Sequence, residues 1–246
     1  MPNTLDLGSG HTVDLRQVLP QGAIERAAAL EHWVVENAKS ARAFLGRVNL
    51  IAPLVRPLQA LAIAELPRAP KGRPGAGVPP TAWAELLQPA LQGRDLGLLS
   101  EAGLPAVADP GHELVAAAHA LGIGVEPWSG PSSLMMALAA SGLGGQQFAF
   151  VGYLPVDDAA RTARIRELEA LSRRLAQTQI AIETPYRNAA LAQALLAQLQ
   201  PATRLSITCG LSLPGGWCHS ARIADWRRQP PQFAEGLPAV FAWSAA

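Results

Sequence analysis

The sequence predicts an α/β protein of two domains, residues 1–128 with a parallel sheet and residues 129–246 with a mixed one. Three observations carry this expectation. Short apolar runs alternate with longer patches of helical periodicity, the pattern of strand–helix units rather than of a bundle. Between those runs stand 21 prolines and 22 glycines, many for a helical bundle but suited to numerous short loops. At 246 residues and 49% hydrophobic content, the chain has enough apolar surface for two compact cores.

The elements follow in order. Trp33-Val34-Val35 reads as a strand ending at Glu36, and Ala41, Phe44 and Leu45 continue at helical spacing. Leu50 to Leu66 is rich in Leu, Ala and Ile but broken by Pro53 and Pro57, so helix and strand both stay open there. The prolines and glycines crowded between Leu66 and Pro80 predict a mobile loop, which carries Lys71 and Arg73. Thr81 has N-cap chemistry for a helix through Leu91, with Gly93 past its end. Leu96 to Leu99 is a strand that stops at Ser100, His112 to Leu121 a helix, and Ile123 to Trp128 a second strand. The domain change falls near Trp128 to Pro131.

Beyond Asp157, Ile165, Leu168, Leu171 and Leu175 form one apolar helix stripe. A strand over Ile180–Ile182, a helix over Ala189–Leu199 and a strand over Leu205–Thr208 follow, and Val240 to Trp243 closes the second sheet. His219, Cys218 and the tryptophans at 217, 226 and 243 read as core or interface residues.

Composition narrows the function. A net charge of +1 gives no global basic field, although Arg161, Arg164, Arg166, Arg173 and Arg174 gather on one expected helix. Each feature alone reads as solvated helix charge or, with Lys71 and Arg73, as a plain linker, while the two together argue mildly for contact with RNA phosphates. Two cysteines make no disulfide framework, no second pair completes a zinc site, and no metal is expected. Without a visible signal peptide or long apolar span, the expected place is the cytoplasm, with no membrane partner.

The richest segment runs from Gly93 to Pro155. It holds Ser100-Glu101-Ala102-Gly103-Leu104-Pro105, Asp109-Pro110-Gly111 and Ser129-Gly130-Pro131-Ser132-Ser133 in order. Ala137-Leu138 with Ser141-Gly142-Leu143, then Phe150-Val151-Gly152-Tyr153-Leu154-Pro155, complete the set. At the small-residue turns a backbone can approach a ligand closely, and in open α/β sheets ligands lie outside the carboxyl ends of strands. This series resembles the ribosomal RNA small subunit methyltransferase I family, in the tetrapyrrole methylase superfamily. That family carries S-D-A-G-x-P-x-x-x-D-P-G, P-G-P-S-A, A-L-x-x-S-G-L and F-x-G-F/Y-L-P. Glu183-Thr184-Pro185-Tyr186-Arg187 is similar to its Y-E-x-P-H-R, and Glu36 to Arg42 stands where it has E-D-T-R.

The resemblance implies two tetrapyrrole methylase-like α/β domains, S-adenosylmethionine as cofactor, and methylation of small-subunit ribosomal RNA at a ribose hydroxyl by a homodimer. It places Ala102, Gly103, Leu104, Pro105, Ser132, Ser133, Thr184 and Pro185 at the cofactor. Glu36 and Glu101 are the candidate catalytic carboxylates, and Arg42, Asp109 and Arg187 the candidate substrate contacts. A methylase of tetrapyrroles or other small molecules is the alternative enzyme, and a catalytically silent cofactor-binding or assembly module the alternative of another class. The family's E-L-T-K is replaced by Cys209-Gly210-Leu211-Ser212, so chemistry performed by that acid and lysine does not transfer. Pro2 to Gly8 resembles the T-P-I-G-N loop that follows the family's first strand, so the expectation is a start codon assigned too late rather than a sheet built one strand short.

Overall fold

The computed structural model describes residues 1–6, 8–67 and 78–245. Most of the loop expected between Leu66 and Pro80, with Lys71 and Arg73, lies outside the described residues. By its internal contacts the chain divides into two units, Met1–Leu7 with Thr12–Pro131, and Gly8–His11 with Ser132–Ala246.

The first unit is built on a parallel sheet of β1 (His32–Val35), β2 (Ala62–Glu65) and β3 (Leu96–Leu99), in the order β2-β1-β3. The segment whose type stayed open thus ends in a strand, preceded by a short 3-10 turn over Leu58–Ala60. After the short α1 (Leu15–Val18), helices α2 (Gln21–Ala29) and α3 (Ala38–Asn49) cover one face, where Ile24, Ala27, Phe44, Leu45 and Val48 pack on Trp33 and Val35. On the other face Val34 meets Trp83 and Leu87 of the α4 region (Pro80–Leu86) and Leu114 of α6 (His112–Ala120). Asn37 caps α3, its carboxamide oxygen accepting the N–H groups of Lys39 and Ser40, and this cap fixes how β1 turns into the helix.

Two local expectations need correction. Thr81 is not the N-cap of α4: Pro79 holds that position and Pro80 opens the helix, where a missing N–H costs nothing. A break at Leu87 then separates α4 from α5 (Gln88–Leu91), whose Pro89 cannot donate backward. Ile123 to Trp128 is not a strand either. The outer edge of β3 is met by the beginning of the chain instead: the Met1 amino group donates to the Leu98 carbonyl at 2.8 Å and Asn3 bridges Gly103. Residues 123–128 are held by side chains, with Arg26 paired to Glu126 and its guanidinium 5.3 Å over the Trp128 ring.

The second unit has a mixed sheet in the order β4-β5-β8-β6-β7: β4 (Phe148–Gly152), β5 (Thr178–Glu183), β8 (Ala239–Ser244), β6 (Arg204–Cys209) and β7 (Trp217–Arg222). Strands β4 and β5 run parallel, and the remaining pairs are antiparallel. Helix α7 (Ser133–Ser141) lies on one face, packing Leu134, Ala137 and Leu138 against Ile180, Val240 and Ala242. Helix α8 (Asp158–Leu175) buries Ile165 and Leu168 as the stripe requires, but Leu175 is exposed and Glu169 and Ser172 are inside. Those two polar groups are satisfied: Glu169 accepts the Gln200 N–H at 2.8 Å, and Ser172 donates to the Gln177 carbonyl at 2.7 Å. Trp226 and Trp243 are buried as expected, whereas Cys218 and His219 are exposed on β7.

The Cys209–Leu213 turn and the start of β7 cross so closely that a Cβ on Gly216 would sit 2.1 Å from the Gly210 carbonyl oxygen. Both partners are backbone, so neither yields by a rotamer change. Gly216→Ala is expected to destabilise the protein by about 3 kcal/mol or more, read as a lower urea midpoint, whereas Gly144→Ala, with open space at its Cβ, should not.

Candidate functional site

The site forms where β3 ends. Ser100 to Gly111 leads from the strand into α6 through a loop with four positive φ angles, Gly103 at 64°, Ala106 at 65°, Ala108 at 64° and Gly111 at 122°. Glycine takes such a conformation without strain, but Ala106 and Ala108 do not, so surrounding contacts must hold them.

Two side chains from elsewhere in the chain do the holding at the front of the loop. The Asn3 carboxamide donates to the carbonyls of Ser100 at 3.0 Å and Glu101 at 3.1 Å, while the Asn3 N–H donates to the Gly103 carbonyl at 2.8 Å. From the end of β1, a Glu36 carboxylate oxygen accepts the Glu101 N–H at 3.1 Å. The Asn3 loop is itself anchored through Asp6, which is buried and accepts from the Thr4 hydroxyl, the Val13 N–H at 2.8 Å and Arg47 at 3.0 Å. Burial pushes the Asp6 carboxyl up, but those donors outweigh it and leave its pKa below the ordinary value.

This folding gathers three carboxylates. Glu36, Glu101 and Asp109 are all half-buried, and Asp109 is pushed up to about 6, first by burial, then by the Glu36 charge, with a smaller push from Glu101 and a counteracting hydrogen bond from Ser100. A carboxyl in that range holds or releases a proton near neutral pH. Behind the acids, the N–H groups of Ala102 and Leu104 have no acceptor among the described residues. Leu104 and Pro105 are half-buried and Gly103 is buried.

Loss of the Asn3 clamp is expected to cost about 1–3 kcal/mol, because Asn3→Ala strands the Ser100 and Glu101 carbonyls. Chemical denaturation would measure it. Neither Asn3 nor its Asp6–Arg47 anchor was among the candidates that sequence motifs singled out. The signal was the polar run Asn3-Thr4 with Asp6, set between apolar residues.

The remaining candidates fall elsewhere. Arg42 is exposed on α3 and donates to the Ala38 carbonyl. In the second unit Ser132 caps α7 by accepting the Met135 N–H, and Ser133 opens that helix. Thr184 and Pro185 follow β5, where the buried Glu183 carboxylate accepts from the Thr184 N–H at 2.8 Å and pairs with Arg187 at 3.1 Å. Arg187 is therefore committed to a carboxylate within its own motif. The Cys209-Gly210-Leu211-Ser212 turn places a buried thiol, raised in pKa by burial, where the resembled family has an acid.

Residues 34–216 match the family model described as Tetrapyrrole (Corrin/Porphyrin) Methylases. The chain belongs to the tetrapyrrole methylase family. The matched span takes in Glu36, the Ser100–Gly111 loop, Ser132 and Thr184, while Asn3 and Asp6 lie before it. Among relatives, a ribosomal RNA small subunit methyltransferase I of Vibrio cholerae is 38% identical over 102 residues, 42% of this chain and 34% of that protein. One of the same description from Xylella fastidiosa is 47% identical over 78 residues, 32% of this chain and 29% of that protein. The chain thus spans about a third of the length of the curated relatives it matches.

Solved structures share the tetrapyrrole methylase fold at low identity. The methyltransferase CobJ superposes with a TM-score of 0.55 at 16% identity, covering 92% of this chain and 87% of that one. The native uroporphyrin III C-methyl transferase of Thermus thermophilus superposes at 0.51 with 18% identity, covering 93% and 86%.

Proposed function

We propose that this protein is an S-adenosylmethionine-dependent methyltransferase whose acceptor is a ribose hydroxyl of small-subunit ribosomal RNA. The observation that carries the reading is the loop after β3, where backbone donors without an acceptor among the described residues and a carboxyl pushed up to about 6 stand together. The donor set suits such a cofactor: N–H groups at Ala102 and Leu104 fit a carboxylate or an adenine edge, and Gly103 between them takes its left-handed backbone without strain. When bound, S-adenosylmethionine supplies an electrophilic methyl carbon on a positively charged sulfur.

The chain's own residues do the rest. Asp109 takes the proton from the attacking hydroxyl, a contribution of about a hundred- to ten-thousand-fold. Glu36 holds the Glu101 amide, which keeps the loop shaped and keeps negative charge beside Asp109 so that its proton affinity stays high. Glu36 and Glu101 therefore tune and position the base. The acceptor assignment is supported by the relatives named as ribosomal RNA small subunit methyltransferase I, and a cytoplasmic location beside the ribosomal subunits accompanies this reading.

A homodimer accompanies this reading. Strand β4 is an edge strand with no charged residue, and Phe148, Phe150, Tyr153 and Val156 are exposed on it and just beyond it. Edge strands that face water are normally protected by charge, so a second copy is the expected cover.

The deciding experiment incubates the protein with labelled S-adenosylmethionine and ribosomal subunits that lack their modifications, then maps the label. Label on a ribose of small-subunit RNA is the expected result. Label only in extracted small molecules would move the assignment to a small-molecule methylase, and cofactor uptake without any transfer would reduce the protein to a binding module.

A further inference from the structure

Helix α10 (Ile223–Arg228) forms a wall of two depressions on the second unit. The first, of about 570 Å³, is lined by Arg166 and Arg173 of α8, by Arg227, and by Gln198 and Gln200 at the end of α9 (Asn188–Gln198). Arg166 and Arg173 are seven residues apart, two helical turns, so they share a face and stand about 10 Å apart along the axis. Glu169 lies between them but is turned inward, its carboxylate taken up by the Gln200 N–H and the Thr203 hydroxyl. Arg227 is fixed by the carbonyls of Leu196 and Leu199, each at 2.8 Å. Arg166 is exposed at the rim of this depression, and the Glu169 carboxylate is buried.

The second depression, of about 550 Å³, is lined by Trp217 and His219 of β7 with Trp226, Gln229 and Gln232. Trp217 is half-buried beside Phe233, and the exposed His219 ring meets Trp226 edge-on at 4.9 Å. Asp225, also on this side, is neutralised by Arg228. Aromatic faces that accept stacked bases, beside a basic surface that tracks phosphates, are what sequence-tolerant binding of a single strand requires. An acidic peptide would use the guanidiniums and leave the aromatic side without planar partners.

We infer that this face binds single-stranded RNA, with Arg166 on a phosphate and Trp217 and His219 against bases; the inference rests on the RNA reading above and extends it to a docking surface. Anisotropy of a labelled oligoribonucleotide of about 12 nucleotides, titrated with the full chain at several salt concentrations, tests it. Each lost phosphate contact lowers the salt slope by about 0.7, so R166A is expected to lower it by that amount. Trp217→Ala should weaken binding about five- to hundredfold, while Trp217→Phe, which keeps a ring, should retain most of it. Cofactor affinity, read by calorimetry on the same proteins, should not change. Variants that bind RNA like the wild type, or displacement of RNA by an acidic peptide at equal strength, would overturn the inference and leave the methyltransferase reading intact. A wild-type protein that takes up cofactor but no RNA would overturn both the docking surface and the RNA acceptor.

Discussion

Asp109→Asn is expected to lower methyl transfer by about a hundred- to ten-thousand-fold and, in the same molecule, to raise stability at neutral pH. The two effects share one cause. Asp109 is pushed up to about 6 from an ordinary 3.8, so between those pH values the native state holds a proton that the unfolded state has released. Stability therefore falls as pH rises from about 4 to 6 and stays reduced above that, where the carboxylate is charged beside Glu36. Asparagine removes that charge. The gain should be on the order of 1 kcal/mol after allowance for the group's partial exposure, present above about pH 6 and absent below about 4. Urea unfolding at pH 4 and pH 7.5, with single-turnover methylation rates, measures both. Wild-type rates should climb with pH through about 6 and the variant's should not. A variant of full activity would remove Asp109 from the chemistry, and one no more stable at pH 7.5 than the wild type would show that the cluster does not strain this carboxyl.

Gly97→Val is expected to unfold the first unit's sheet at ambient temperature or to lower its stability by more than about 3 kcal/mol. Gly97 pairs with Trp33 across β1 and β3, and a Cβ there would lie 2.6–2.7 Å from the Trp33 ring and 2.9 Å from Leu30. Trp33 is 1% exposed and packed by α2 and α3, so the ring has nowhere to move. Overpacking a filled core forces side chains off their rotamers and shifts backbone. Gly124→Ala is the control, since nothing lies within 4 Å of its Cβ and its φ is ordinary. Near-ultraviolet dichroism of the buried tryptophans and urea titration would separate the two; equal stability would mean that Trp33 does not fill the space above Gly97.

Much of this architecture was legible because it is written locally. Trp33 to Val35 is a buried β-branched and aromatic run followed by an Asn cap, and Leu96 to Leu99 ends at a turn of small residues. What failed were segments whose state depends on a distant neighbour. Ile123 to Trp128 has strand composition, but the Met1–Asn3 segment meets the free edge of β3. Conversely β7 was missed because Trp217-Cys218-His219-Ser220-Ala221-Arg222 alternates too weakly to signal a strand, and its pairing with β6 decides the matter. The glycines divide in the same way. Gly103 owes its identity to a left-handed backbone, which its place after a strand suggests. Gly130 of the S-G-P-S-S turn has another reason altogether, since a Cβ there would strike the Pro2 ring at 2.3–2.4 Å.

The sequence by itself determined that the chain is α/β, where its strand-to-helix corners fall, and that the one after Leu99 offers bare backbone and acids. Those properties reside in consecutive residues and in their periodicity. Only the tertiary structure decided that Glu36 would grip the Glu101 amide across 65 residues, that Asn3 would clamp the same turn from 97 residues away, and that Asp109 would be the carboxyl with raised proton affinity. Proton affinity depends on burial and on neighbouring charge, and both are set by chain segments that meet only when the sheet has formed.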